Sequence, residues 1–276
     1  MKIIDSHAHL LHNHSGFYPL VESGIFDEIW LMDLSGVSLN GYETASRKEL
    51  LQAAEDFKGR IFVFGFLDLE KPPEEIDRLK DAGFVGLKPY KPLHPYDSEC
   101  YYPHYERAAC LHMPILFHTG LVAPGPAWKG SSGHSRGPDR MRPGHLAGIA
   151  EAFPALSIMG GHLGWPYLEE TAQNLYYYPN ITHDISGYMR VMEFLPGFLD
   201  RRCHDGTARF FNEKIRFATD SFYGSEEQNS RALRLREFWL RYFEFVGELY
   251  YRWGAPEEQE KFFAGTAAAL RNECGF

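Results

Sequence analysis

The run Met113–Thr119 (MPILFHT) sets four apolar residues in a row and ends on His118, just before Thr119-Gly120. A short apolar run bounded by turn-forming residues reads as a strand covered on both faces, as in a parallel sheet. Working outward, runs of the same kind recur at Lys2–His9 (KIIDSHAH), Glu28–Leu34 (EIWLMDL), Ile61–Leu67 (IFVFGFL) and Phe84–Tyr90 (FVGLKPY). They continue at Leu156–His162 (LSIMGGH), Asn180–Ser186 (NITHDIS) and Ile215–Asp220 (IRFATD), which makes eight strand candidates. Amphipathic, helix-like stretches lie between them, among them Arg47–Phe57, Pro73–Ala82, Tyr102–Leu111 and His145–Phe153. Strands alternating with helices predict βα units and a parallel sheet, and eight units in about 220 residues suit a closed (β/α)8 TIM barrel. An open doubly wound sheet is the alternative, but no G-x-G-x-x-G follows an early strand.

Two further helical stretches, near Glu226–Trp253 and Pro256–Asn272, follow the eighth run, with Pro256 where a first helical turn accepts proline. The aromatic residues of Phe238–Trp253 read as a buried helix face. The expectation is one domain over residues 1–276, an α/β barrel with extra C-terminal helices. The stretch Leu121–Pro143 has no period and is rich in Gly, Pro and Arg, so it reads as a lid loop over the carboxyl ends of the strands.

The formal net charge is −9, from 28 basic and 37 acidic residues, which argues against nucleic acid or anionic membrane as a partner. No run approaches the ~20 apolar residues of a membrane helix. The opening MKIID enters a strand pattern at once without a signal-peptide pattern, and the four cysteines are scattered with no C-x-x-C pair. These features read as a cytoplasmic protein acting on a small molecule, and they leave a homodimer open.

His7 and His9 are two residues apart on a strand, so both rings point the same way and can share a metal ion. His118, His162 and Asp220 each end a strand candidate, and in a TIM barrel all carboxyl ends meet at one mouth. Three neutral imidazoles and a carboxylate suit one divalent ion, Zn²⁺ first, with Fe²⁺, Mn²⁺ or Co²⁺ as alternatives.

The sequence resembles the second amidohydrolase family, which includes the aminocarboxymuconate-semialdehyde and γ-resorcylate decarboxylases beside many hydrolases. The matching features are DSHAHL (5–10), GFVGLKPY (83–90), MPILFHTG (113–120), RPGHLAGIAEAFPALSIMGGHLG (142–164) and IRFATDSFYG (215–224), in family order. The resemblance implies His7, His9 and His118 as metal ligands, Asp220 on the metal or its water, and His162 as acid/base. It departs at Tyr90, where a strand-four G-x-K-x-H pattern has its second His, and at Thr266, where the family has Asn. Lys88 is then an unmodified neighbour of a one-metal site.

Lys88, Tyr90, Trp165 and Arg190 follow strands and are candidate substrate contacts. Arg136, Arg140 and Arg142 lie in the lid, and an arginine fork suits a carboxylate. His12, His14 and His134 read as solvent-facing. The function expected is metal-dependent hydrolysis of a small, carboxylate-bearing amide, ester or lactone by activated water, with Asp220 and His162 as catalytic residues. The alternative is non-oxidative decarboxylation of an unsaturated or aromatic acid. A purely structural metal protein is disfavoured because it needs no open coordination position.

Overall fold

The computed structural model describes residues 1–35, 37, 41–122, 137–187, 195–249 and 251–276. Its strands are β1 (Ile4–Leu10), β2 (Glu28–Met32), β3 (Ile61–Leu67), β4 (Gly86–Pro89), β5 (Ile115–Phe117), β6 (Ile158–Gly160), β7 (Ile181–Asp184), β8 (Ile215–Arg216) and β9 (Phe222–Tyr223). The helices include α1 (Phe17–Glu22), α2 (Arg47–Asp56), α3 (Glu75–Asp81), α4 (Tyr102–Cys110), α5 (His145–Ala152) and α6 (Leu168–Tyr177). They continue with α7 (Leu195–Leu199), α8 (Glu226–Leu249), α9 (Pro256–Glu260) and α10 (Thr266–Cys274).

Neighbouring strands pair in parallel in the order β8-β7-β6-β5-β4-β3-β2-β1-β9. The eighth strand, expected as continuous over Ile215–Asp220, is broken in two. Its first piece, β8, pairs with β7, and its second, β9, pairs with β1. Backbone bonds Ser6 N to Phe217 O (3.2 Å), Asp220 N to His7 O (2.8 Å) and His9 N to Ser221 O (2.8 Å) join the same segment to β1. The ring is thereby closed as a (β/α)8 TIM barrel.

Apolar residues divide by strand face. Ile29, Leu31, Ile61, Val63, Ile115 and Ile158 turn outward to a cluster shared with helix residues such as Leu50, Leu79 and Leu146. Trp30, Met32, Phe64, Leu116 and Met159 alternate with them and turn inward, where Ala267 and Leu270 of α10 pack against them. Ile4 belongs to that inner group, whereas Ala8 and Leu10 belong to the outer one. Strict alternation puts all three on one face; a register shift between Asp5 and Ala8 breaks it. After the shift, His7 and His9 line the cavity inside the barrel.

Helix starts follow the local chemistry. Ser46 and Glu49 form a reciprocal capping box at α2, and α4 and α9 carry proline in the first turn. The long terminal helix expected over Pro256–Asn272 is α9 and α10 joined by a π-helical turn at Lys261–Gly265. Among the described residues no helix is long and apolar enough to cross a membrane. All four cysteines are free thiols. Most of the expected lid lies outside the described residues, which resume at Gly137.

Candidate active site at the carboxyl ends of the strands

A cavity of about 160 Å³ opens at the carboxyl ends of the strands, lined in part by His7, His9, Lys88, His118, His162 and Asp220. Leu34, Tyr90, Leu121, Val122 and Phe222 form its apolar wall. Phe222 stacks on His9 with ring centroids 4.6 Å apart, and Tyr90 meets His118 edge-on at 5.1 Å.

Two residues of the site sit in the left-handed backbone region, which costs a residue with a Cβ on the order of 1 kcal/mol or more. They are His162 (φ 59°) and Asp220 (φ 51°). Asp220 is held there by its neighbours. Thr219 N (2.9 Å) and Thr219 Oγ1 (2.6 Å) donate to the fully buried Asp5 carboxylate, as does Tyr223 Oη (2.7 Å). These side-chain bonds tie the chain on either side of Asp220 to β1, at the place where the eighth strand is broken. Gly187 (φ +84°) closes over both residues, since a Cβ there would fall 2.9 Å from His162 Nδ1.

Each of the four imidazoles is anchored from behind. His7 Nδ1 donates to Asp184 Oδ2 at 3.0 Å and His9 Nδ1 to the Met32 carbonyl at 3.2 Å. His118 Nε2 donates to the Leu121 carbonyl at 2.8 Å, and His162 Nδ1 faces the Ser186 carbonyl at 3.2 Å. Carbonyl and carboxylate oxygens only accept, so these outer nitrogens carry the protons, and the inner nitrogen of each neutral ring keeps its lone pair. The inner nitrogens then face one another and Asp220. His9 Nε2 is 3.0 Å and His7 Nε2 3.7 Å from Asp220 Oδ1, and His162 Nε2 is 3.1 Å from His118 Nδ1. Lys88 Nζ, 3.3 Å from His7 Nε2, is a donor facing this centre.

Lone pairs and a carboxylate aimed at one point repel unless positive charge lies among them. One ligand atom each from His7, His162 and Asp220 lies within 4.8 Å of the others. That group contains His162 and omits His9 and His118, so it overlaps the expected four-ligand set without coinciding with it. Two ligand atoms on one tetrahedral zinc stand about 3.3 Å apart, near the 3.7 Å between His7 Nε2 and Asp220 Oδ1 within that group. The donor set therefore fits a divalent cation.

Burial, with Lys88 second, pushes the His7 ring down to about 3, and burial, His162 and Lys88 hold His118 well below the usual range. Both rings are neutral at physiological pH. Burial pushes the Lys88 ammonium down to about 8 against the pull of Asp184 and Asp220. Burial works to raise Asp220 and Asp184, yet histidine partners hold both below the ordinary carboxylate range, with buried Arg216 adding to the effect at Asp184. Asp220 is partly open, its side chain 26% exposed.

Other expected residues fall elsewhere. Trp165 is not part of the described cavity lining; its carbonyl accepts from Leu121 N at 3.1 Å. Arg142 is turned away to pair with Glu170, and Arg136, His134 and Arg190 lie outside the described residues. His12 is exposed and pairs with Glu49 at 3.0 Å, while His14 Nδ1 bonds the carbonyls of Leu11 and His12. Asp184 and Ser186, which touch two of the four rings, were missed in the sequence, although both belong to the strand candidate NITHDIS. The signal was an Asp at a strand end, the same one that marked Asp220.

Comparisons with known proteins agree with the fold. An uncharacterized TIM-barrel protein from Bordetella bronchiseptica superposes with a TM-score of 0.68 at 14% identity, over 100% of both chains. A probable 2-pyrone-4,6-dicarboxylic acid hydrolase from Acinetobacter baumannii, solved with citric acid bound, gives 0.58 at 13% identity, again over 100% of both. A 5-carboxyvanillate decarboxylase from Sphingomonas paucimobilis gives 0.58 at 16% identity, over 93% of this chain and 82% of that one. Among curated proteins, none matches the sequence. A family model described as amidohydrolase matches residues 38–270, a span that holds Lys88, His118, His162 and Asp220. With His7 and His9 brought to the same cavity by β1, the chain belongs to the amidohydrolase family.

Proposed function

We propose that the protein is a metal-dependent hydrolase of a small molecule that carries one carboxylate and an amide, ester or lactone. The observation that carries this reading is the set of four back-anchored imidazoles whose lone pairs converge with Asp220. His7, His9, His118 and Asp220 would hold one divalent ion, Zn²⁺ by the chemistry of the donors. A bound ion lowers the pKa of a water ligand to about 7, which makes a nucleophile at neutral pH.

The chain's own groups supply the rest. Asp220, ionised and partly open to solvent, takes the proton of the attacking water. His162 Nε2 faces the same space with its lone pair, so it accepts the proton that Asp220 takes from the water and passes it on to the leaving group. Lys88 brings positive charge toward the substrate carboxylate. The Tyr90 ring, the edge of Phe222 (whose faces stack on His9 and Tyr42), Leu34 and Val122 surround the body of the substrate and exclude water. The A. baumannii protein is described as acting on a dicarboxylic acid. Here the described lining offers one cationic side chain, Lys88, which favours a monocarboxylate.

The aromatic wall favours, as a second reading, decarboxylation of an unsaturated or aromatic acid at the same centre. Purified full-length protein is expected to hold about one divalent ion per chain, largely lost in His118→Ala. Lactones, esters, amides and hydroxybenzoates are then screened for released acid and released CO₂. Acid release supports the hydrolase, and CO₂ release without hydrolysis selects the second reading. Failure to take up any divalent ion sinks both.

A further inference from the structure

We infer that Asp184 is a positioning residue that fixes the tautomer and orientation of His7 and His162 together, and so couples the proposed metal ligand to the proposed acid/base. The inference rests on the reading of His7 and His162 given above, and it is carried by the hydrogen bonds around one buried carboxylate. Asp184 Oδ2 accepts from His7 Nδ1 at 3.0 Å. Its Oδ1 accepts from His162 N at 2.9 Å, Ser186 N at 3.0 Å and Ser186 Oγ at 2.6 Å. The Ser186 proton is committed to Asp184, so Ser186 Oγ is left to accept from His162 Nδ1 at 2.9 Å. Both rings thus carry their proton on the side of Asp184 and present Nε2 to the cavity.

The backbone bond has a second effect. His162 occupies the left-handed region, and the bond from its own N–H to Asp184 helps hold that conformation. Asp184 is fully buried at the end of β7, in register with Arg216 of β8, whose guanidinium is also fully buried. All four partners reach Asp184 as N–H or O–H donors, so both of its oxygens act as acceptors. Outer partners of this kind set both the ring orientation and the basicity of metal-binding histidines.

Asp184→Asn separates this role from simple packing because the shape is kept and one acceptor becomes a donor. Three donors crowd Oδ1, so the amide oxygen must stay there and the NH₂ group must face His7 Nδ1. His7 then has to accept at Nδ1 and carry its proton on Nε2, where the lone pair is needed. The test is ¹⁵N-imidazole NMR of the metal-free full chain together with Zn²⁺ affinity from chelator competition. In the wild type, both His7 and His162 are expected as Nδ1–H tautomers. In Asp184→Asn, His7 is expected as Nε2–H, with Zn²⁺ bound on the order of 10- to 100-fold more weakly.

An Asn variant that keeps the His7 Nδ1–H tautomer and wild-type Zn²⁺ affinity overturns the inference. So does a wild-type spectrum with Nε2–H on either ring, which needs no variant to fold. Wild-type protein that shows both Nδ1–H tautomers yet takes up no divalent ion sinks the proposed function and leaves the positioning role of Asp184 intact.

Discussion

The two ends of the barrel interior belong to one closed sheet and differ in almost every other respect. At the amino end, Trp30, Phe64, Leu116 and Met159 fill the space against α10, and Phe276 meets the rings of Trp30, Phe62 and Phe64 at 5.4, 5.4 and 6.0 Å. At the carboxyl end, β5 runs on into the half-buried His118, while β1, β4 and β7 carry His7 and His9, Lys88 and Asp184, buried but polar. A buried polar group costs free energy unless its hydrogen bonds are made. The upper layer therefore needs anchors such as Asp184 and Met32 O, whereas the lower one needs only volume. The lesson is that stability and chemistry are stacked along one barrel axis.

That separation can be broken from either end. The largest effect is expected below: Phe64→Ala empties a site where the ring already packs 2.3 Å from an imagined Gly86 Cβ, and should cost about 3–5 kcal/mol. Denaturant unfolding measures the loss, while metal content in the folded fraction should not change. If metal uptake falls in step with stability, the two layers are not separate. Next in size is Asp220→Asn, which removes a charge and a proton acceptor from the upper layer. Turnover should fall by a factor on the order of 10² or more, with the unfolding midpoint little changed; wild-type turnover would show that Asp220 is not the base.

The smallest effect sharpens the comparison at β7, which carries Asp184 inward and His183 outward. His183 is fully buried against Gly160, has no hydrogen-bond partner at either ring nitrogen among the described residues, and is pushed down to about 3 by burial. An unfolded histidine titrates near 6.5, so between pH 6.5 and 3 the unfolded chain binds a proton that the native one does not. Stability from this residue is complete above about pH 6.5 and is lost as the pH falls, by roughly 2 kcal/mol at pH 5. Melting of wild type and His183→Leu at pH 7 and pH 5 checks this. The variant should lose less on acidification, and equal losses would assign the acid sensitivity to the upper layer instead.

Much of this was legible in the sequence, for identifiable reasons. Strands buried on both faces read as continuous apolar runs, so Ile61–Leu67 was placed to the residue and the barrel followed from repetition. The polar residues that end those runs, His118, His162 and Asp220, pointed to the mouth. The break in the eighth strand was not visible, because it depends on Asp5, more than 200 residues away, accepting from Thr219. Asp184 and Ser186 were missed for the same reason: their role lies in contacts with His7, distant in sequence. Trp165 follows a strand end in the sequence, and the cavity lining among the described residues does not include it.

The register shift in β1 puts two patterns on one strand, out of phase by one residue. Upstream of it, Ile4 keeps time with the barrel floor; His7 within it and His9 beyond it keep time with the mouth. Such a phase slip acts as a buffer. A change in the floor that pulls Ile4 along the strand can be absorbed in the shifted stretch that holds His7, before it reaches His9. The first strand can thus be retuned below without being detuned above, a freedom that a strictly alternating strand does not have.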